Sequence, residues 1–335
     1  MTSVTLAAFG LSLCCCLGCF CLDSFATQTG TVGSIKSYTP RQFIKLERSE
    51  LDLNLLGDSI IDLRKRITDD PENASLRFQL GTYLYLAGDY EGASSELKKT
   101  ITIAPLDPYA HAQLARVLDF IGEHNEALKQ FRRAVEIASN NAQIHFMFAE
   151  SLKHGGNVPE AINEYRRAVN AADGANDSAL FLAGLAEALL ATGDVQGSLR
   201  AARKAVSLDG GSARAQTALT ASLLNIGEKQ AALVTAKQAV HLAPDAVESH
   251  LALGRSYFAN GEMTSAVEEF KAAVNLDPLS AQAHNDLGYA FYGAGDIVSA
   301  INEYRLALRL NPKSVEARNN LEIAIYGLAG KKPNH

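Results

Sequence analysis

A pattern of apolar and small residues recurs every 34 residues along most of this 335-residue chain, and few folds can accommodate it. The fullest copies combine a leucine-glycine pair and a nearby aromatic residue with a later small–aromatic–small series and a proline. Two successive copies lie at Leu253, Gly254, Tyr257, Ala266, Phe270, Ala273 and Pro278, and at Leu287, Gly288, Phe291, Ala300, Tyr304, Ala307 and Pro312. Seven copies fit in one register, which chance matches to a loose pattern would not produce.

The spacing within one copy predicts two helices joined by a tight turn. Leu253 and Tyr257 are four residues apart, and Ala266 and Phe270 repeat that spacing on a second segment, as on one face of a helix. Asn260-Gly261 between the two segments is a typical chain break. Each helical hairpin has an apolar face that only the next hairpin can cover, so the sequence predicts an all-α, solenoid-like array.

This pattern resembles the tetratricopeptide repeat family, in which each repeat is a helix-turn-helix hairpin. The resemblance implies an α-solenoid in which the hairpins form a right-handed superhelix. It spans residues 74–314, with a three-residue insertion at Asn176-Asp177-Ser178. Repeats one to seven are 74–107, 108–141, 142–175, 179–212, 213–246, 247–280 and 281–314.

The two ends of the array depart from the pattern. Residues 315–328 read as one more first helix, with Leu321 and Ile325 as its apolar residues, and we expect a C-terminal capping helix followed by a tail at 329–335. Residues 40–73 read as a degenerate leading repeat. Its predicted helices are Pro40 to Leu55 and Asp58 to Thr68.

The amino-terminal segment is typical of a targeting sequence and not of the repeat array. No residue from Val4 to Leu22 is charged, and all five cysteines of the chain lie at positions 14–21. Residues 1–26 fit a signal peptide cleaved before Thr27, a lipoprotein signal with Cys19 as the lipidation candidate, or an uncleaved membrane anchor. Residues 27–39 are rich in Thr, Ser and Gly and read as a flexible tether. We therefore expect an exported protein of the cell envelope, whether periplasmic, membrane-associated or secreted.

In the tetratricopeptide repeat family the first helices line a groove that binds peptides, and the resemblance implies the same here. Carried over by repeat position, the groove would be apolar and aromatic with scattered charges of both signs. The groove residues so implied are Phe78, Tyr85, Arg116, Phe120, Phe146, Glu150, Lys153, Glu187, Arg255, Phe258, Asn285, Asp286, Tyr289 and Tyr292. Some of these aromatic residues could instead pack against the neighbouring repeat.

Composition and motifs argue against several other classes of protein. The hydrophobic content is 47%, which is too high for a disordered chain, and the formal net charge of −6 leaves no basic excess for nucleic acid. Four histidines share position 4 of their repeats, counted from the first residue of each: His111, His145, His250 and His284. Because successive repeats hold them too far apart to share an ion, we expect packing rather than metal binding, and no cofactor.

The leading hypothesis is a non-enzymatic scaffold that binds a partner protein or peptide in its groove. Its resemblance to bacterial envelope proteins of the same family implies a role in envelope assembly or secretion. One alternative is an enzyme factor that modifies glycan or peptidoglycan, or the regulatory subunit of such an enzyme. Another is an adaptor that faces the cytoplasm behind a membrane anchor.

Overall fold

The computed structural model describes residues 53–328, and sixteen helices and no strands occupy this part of the chain. The predicted N-terminal segments 1–26 and 27–39, most of 40–73 before the first helix, and the tail 329–335 lie outside the described residues. The helices are α1 (Leu53–Asp69), α2 (Ala74–Ala87), α3 (Tyr90–Ile103), α4 (Pro108–Phe120), α5 (His124–Ile137), α6 (Ala142–His154), α7 (Val158–Asn170), α8 (Ala175–Ala191), α9 (Val195–Leu208), α10 (Ala213–Asn225), α11 (Lys229–Leu242), α12 (Val247–Ala259), α13 (Met263–Leu276), α14 (Ala281–Gly293), α15 (Ile297–Leu310) and α16 (Val315–Leu328). The all-α class and the helical hairpins are as the repeat pattern predicted.

The described chain divides into two compact units, 53–243 and 244–328. In each unit the even-numbered helices α2 to α16 are the first helices of their hairpins, and the odd-numbered helices are the second helices. First helices pack on the neighbouring first helices, whereas each second helix packs on the first helix of its own hairpin and on the following one. The second helices therefore cover one side of the layer of first helices. The other side of that layer is not covered by second helices, and we call it the open face.

Seven glycines make the turns within the hairpins, one in each repeat. Each has a positive φ of 80–87°, which favours glycine because it has no Cβ: Gly88, Gly122, Gly156, Gly193, Gly227, Gly261 and Gly295. After three of these turns an Asp side chain caps the second helix, as at Asp296, which accepts from the backbone N–H of Ser299. The turns predicted from the sequence are thus confirmed.

The close approach of the two helices of a hairpin explains the small residues of the pattern. A Cβ added to Gly254 of α12 would lie 2.6 Å from Phe270 Cε1 of α13, and one added to Gly288 would lie 2.8 Å from Tyr304 Cε1. Phe270 and Tyr304 are both buried in the core. Glycine on the first helix and an aromatic ring on the second are therefore complementary parts of one contact.

The leading repeat differs from its prediction. A helix break was expected between Leu55 and Asp58, but α1 runs from Leu53 to Asp69 through Gly57 without interruption. Nothing lies within 4 Å of a Cβ added to Gly57, so this glycine neither starts a turn nor makes a close contact. Leu56 and Leu63 are buried, whereas Ile61, one of the apolar residues used for the prediction, is 68% exposed.

Two further boundaries are informative. The inserted Asn176-Asp177-Ser178 lies inside the first turn of α8, which has 17 residues where α6 has 13, so the insertion lengthens a helix instead of forming a loop. The predicted capping helix is α16, with the predicted bounds. It is buried through Ala317 and Ala324, while the predicted apolar contact Ile325 is 43% exposed. Within residues 53–328, no helix is both long and apolar enough to cross a membrane.

Candidate functional site

A network of charged residues crosses the open face of unit 53–243. Arg214 of α10 donates from Nη2 to Glu150 Oε1 of α6 at 2.8 Å and from Nε to Glu187 Oε1 of α8 at 2.8 Å. Lys153 Nζ lies 2.7 Å from Glu187 Oε2 and 3.2 Å from Glu150 Oε2. Two carboxylates and two cations from three successive first helices therefore neutralise one another.

This network keeps its members charged. Burial alone would raise the pKa of the Glu150 carboxyl, but Arg214 and Lys153 outweigh it and lower that pKa. The same two cations hold the pKa of Glu187 far below its usual range, again against burial. Burial and the neighbouring Glu150 raise the pKa of the Tyr165 hydroxyl, which donates to the Glu150 carboxylate. The site thus presents fixed ionic groups over the pH range of a living cell.

An aromatic cluster lies near the start of the same unit. The ring centroids of Tyr85 and Phe120 are 6.2 Å apart in an edge-on arrangement, and those of Tyr90 and Phe120 are 4.1 Å apart. The Arg116 guanidinium lies 5.1 Å from the centroid of Tyr85, within cation–π distance. The three predicted groove residues Tyr85, Arg116 and Phe120 are therefore together. Tyr90 also belongs to this cluster. It is the first residue of the second helix α3, and the prediction considered only positions on first helices.

Unit 244–328 has its own open face. Phe258 of α12 and Tyr289 of α14 stack with ring centroids 4.5 Å apart, and Tyr289 is 47% exposed. Arg255 lies 2.6 Å from the Asp286 carboxylate, whose pKa is raised because burial outweighs this pairing. The arrangement offers a flat aromatic surface beside an ion pair.

Amide groups continue this face towards the last helix. Asn285 donates from Nδ2 to Glu316 Oε1 at 3.1 Å, and Asn320 of α16 donates to Asn285 Oδ1 at 3.0 Å. Tyr292, also predicted for the groove, is half-buried and packs on the cluster around Tyr304. The capping helix is thus part of the candidate site, which the repeat pattern alone did not indicate.

Two predicted groove residues have side chains that are almost completely buried. Phe78 is 2% exposed and Phe146 is 1% exposed, and both belong to the hydrophobic core of their unit. The ring centroid of Phe146 lies 4.8 Å from that of Phe181 on the next first helix. Packing between neighbouring repeats, rather than contact with a ligand, accounts for these two aromatic residues.

The histidines at position 4 hold the hairpins together through a shared pattern of hydrogen bonds. Nδ1 faces a Glu or Gln side chain 19 residues later, and Nε2 faces a backbone carbonyl six residues earlier. The pairs of partners are Gln130 and Pro105 for His111, Glu164 and Ser139 for His145, Glu269 and Pro244 for His250, and Glu303 and Pro278 for His284. We call this side-chain bridge the position-4 clamp.

Other residue types form the same clamp. Arg77 bonds Glu96 and the carbonyl of Pro71, Gln216 bonds the carbonyl of Gly210, and Arg318 bonds the carbonyl of Pro312. The role of position 4 is therefore to donate hydrogen bonds to the preceding turn. Within the described chain, no cluster of three potential metal-ligating side chains occurs. The sequence predicted packing at this position, and the structure adds the polar contacts.

The sequence matches models of a known protein family. Two family models described as tetratricopeptide repeat match the sequence, one at residues 57–136 and the other at 112–178, 146–213, 217–279 and 251–315. The matches cover well over half of the chain. No significantly similar sequence was found among curated proteins.

Solved structures with the same fold share little sequence with this chain. A chain of the APC/C hetero-tetramer Cut9–Hcn1 superposes with a TM-score of 0.64 at 15% identity, covering 84% of this chain and 54% of the other. Yeast Tom70 gives a TM-score of 0.58 at 15% identity, covering 90% and 67%. A tetratricopeptide repeat protein from Parabacteroides merdae gives 0.61 at 14% identity, covering 80% and 99%. This chain thus spans about half of the Cut9–Hcn1 chain that it matches, and at these identities the likeness concerns the fold alone.

Proposed function

Because the chain belongs to the tetratricopeptide repeat family, we propose that it is a non-enzymatic scaffold that binds a partner protein or peptide on its open face. The observation that carries the proposal is Tyr289, which is 47% exposed although its ring packs against that of Phe258. An exposed aromatic residue beside buried hydrogen-bonding groups is typical of residues that dominate binding energy.

The charged network and the amide groups support the same function. In unit 244–328, Arg255 and Asp286 provide hydrogen-bonding groups beside Tyr289. In unit 53–243, Lys153 and Glu187 provide hydrogen-bonding groups on the open face of that unit. A peptide binds well where apolar side chains enter pockets while its backbone meets such groups.

Site-specific crosslinking tests this proposal. A photoreactive phenylalanine analogue at position 289 should capture a defined partner in cells at native expression, whereas the same analogue at Thr264, exposed on the second helix α13, should not. Tyr289→Ala should then weaken binding of the captured partner about tenfold or more. Equal capture from both positions, or unchanged affinity of the Tyr289→Ala variant, would contradict the proposal.

We further propose that the chain is exported and attached to the cell envelope, where its partner takes part in envelope assembly or secretion. The support is the run without charge from Val4 to Leu22 and the Cys19 that it contains. Intact-mass measurement of the mature chain separates the three possible outcomes. A chain that begins at Thr27 is secreted, one that begins at a lipidated Cys19 is a lipoprotein, and one that keeps residues 1–26 is anchored.

A further inference from the structure

A basic residue recurs at the same position in the second helix of each hairpin. It is position 25 of each repeat, eight residues after the first residue of the helix in repeats one to seven, and the same register also fits the leading repeat. The eight residues are Arg64, Lys98, Arg132, Arg166, Arg203, Lys237, Lys271 and Arg305, and all are exposed. We call the six in unit 53–243, Arg64 to Lys237, the cation row.

Helix stability does not explain the cation row. An ion pair within a helix needs a carboxylate three or four residues away, and Arg64, Lys98, Arg166, Arg203 and Lys237 have none at those distances in the sequence. A helix dipole favours cations in the last turn. Position 25 lies five residues before the last residue of α3, α5, α9 and α11, so it lies outside that turn.

Some carboxylates of the same helices are turned inward, whereas others remain at the surface, as Glu136 does beside Arg133 and Glu160 beside Arg132. Position 23 supplies the acidic partner of the position-4 clamp, as in the pair of Glu96 with Arg77 and the pair of Glu164 with His145. Helices α9 and α11 contain no Asp or Glu at all, and α9 adds Arg200 and Lys204 beside Arg203. The surface of α9 and α11 is therefore cationic, although the whole chain has a net charge of −6.

We propose that the cation row of unit 53–243 binds the anionic headgroups of a lipid bilayer. Besides the charge, Val234 is 70% exposed on α11, three residues before Lys237, and apolar side chains among basic ones are typical of helices that lie at a membrane surface. The choice of a lipid surface over an acidic polypeptide rests on the proposed membrane attachment through residues 1–26. That attachment would hold the cation row near the lipid headgroups. Because a single lipid anchor binds a membrane only weakly, a basic surface would strengthen the attachment.

The size of the effect follows from membrane electrostatics. Each Lys or Arg near an anionic surface raises the partition coefficient about fivefold at low ionic strength, and salt screens the attraction within about 10 Å at 0.1 M. Removing three members of the row should therefore lower binding by at least tenfold. The loss should shrink as salt is added.

Vesicle co-sedimentation of the full chain tests the proposal. The wild type should bind vesicles of phosphatidylcholine with 30% phosphatidylglycerol at least tenfold more tightly than vesicles of phosphatidylcholine alone. The variant Arg166→Gln/Arg203→Gln/Lys237→Gln should lose this preference and retain its helical circular dichroism. The control variant Arg116→Gln/Lys313→Gln/Arg318→Gln removes the same charge from first helices and a turn, and it should keep the preference.

Three results would overturn the proposal. The wild type could show no preference for anionic vesicles, or the two variants could lose it equally, which would reflect net charge alone. Binding of poly-glutamate that depends on the row, without any vesicle binding, would place an acidic polypeptide there instead. Because the vesicles carry no protein, none of these results bears on partner binding by the open face.

Discussion

Arg214 reaches Glu150 across 64 residues of sequence, from the fifth repeat to the third, and its guanidinium also pairs with Glu187 of the fourth. This network therefore links three repeats in addition to their apolar contacts. Both Arg214 and Glu150 are largely buried, with side chains 12% and 7% exposed. The network therefore has consequences for stability as well as for the surface.

The variant Arg214→Met should lose about 3–5 kcal/mol of unfolding free energy, because it leaves two carboxylates without their main cation in a buried setting. Urea unfolding followed by circular dichroism at 222 nm measures the change. Arg116→Met is the matched control: it removes a half-exposed arginine from another first helix and should cost less than about 1 kcal/mol. Similar losses for both would show that the network is not a stabilising tie.

The clamp at His284 predicts a pH dependence. The hydrogen bond that His284 donates to the Glu303 carboxylate raises the pKa of His284 against the effect of burial, and the carbonyl of Pro278 and the charge of Asp277 add to the rise. A raised pKa in the folded state stabilises the fold fully below the unfolded value, about 6.5, and this contribution is lost as pH rises through the folded pKa. Wild type should therefore exceed His284→Gln in melting temperature at pH 6, and the gap should narrow by pH 9.

Melting curves at half-unit steps of pH measure this gap. His241→Gln, which changes an exposed histidine on α11, is the control and should track the wild type throughout. A gap that is constant with pH would mean that His284 stabilises the hairpin only by packing.

The contact between Gly254 and Phe270 predicts a large effect from a small change of sequence. Gly254→Leu should cost about 1–3 kcal/mol or more, since even a Cβ would lie 2.6 Å from the ring. Gln282→Leu, at an exposed position on the first helix α14, should leave the thermal melt nearly unchanged. If the two variants melted alike, the repeat register would be wrong.

Two glycines in open space should respond in opposite ways to alanine. Gly57 lies inside α1, so Gly57→Ala should raise the unfolding free energy by about 0.5–1 kcal/mol. Gly122 has equally open surroundings but a φ of 86°, so Gly122→Ala should lower it, by more than about 0.5 kcal/mol. Chemical denaturation of the two single variants is sufficient. If both variants changed the unfolding free energy in the same direction, backbone conformation would not explain the roles of these two glycines.

Much of the fold could be predicted from the sequence because its determinants are local. A glycine at each turn and complementary residues such as Gly254 and Phe270 are set by one hairpin and repeat with it. The bounds of α16 followed for the same reason. The break predicted between Leu55 and Asp58 was wrong: Gly57 lies there, but a single glycine inside a helix costs only about 1 kcal/mol.

The candidate site was harder to predict because it depends on contacts between repeats. Glu150, Lys153 and Glu187 were found from their repeat positions. Their common partner Arg214 was missed, although it is the second residue of repeat five and the same register could have found it; only its pairing with a residue 64 positions away leaves no mark in the sequence. For Phe78 and Phe146 the sequence left ligand contact and packing against the neighbouring repeat open, because burial by a neighbouring repeat leaves no mark on one helix. The cation row had a usable signal, since the 34-residue period could have been applied to charge as well as to apolarity.

The position-4 clamp is missing from one repeat, and this has a practical consequence. Repeat four has Leu182 at that position, buried and unable to hold the carbonyl groups of the turn before it. That turn, 171–174, also precedes the inserted residues and is exposed at Asp173 and Gly174. A protease acting on the folded unit should therefore cut here before any other joint between hairpins, and the resulting fragments would be natural starting points for dissecting the array.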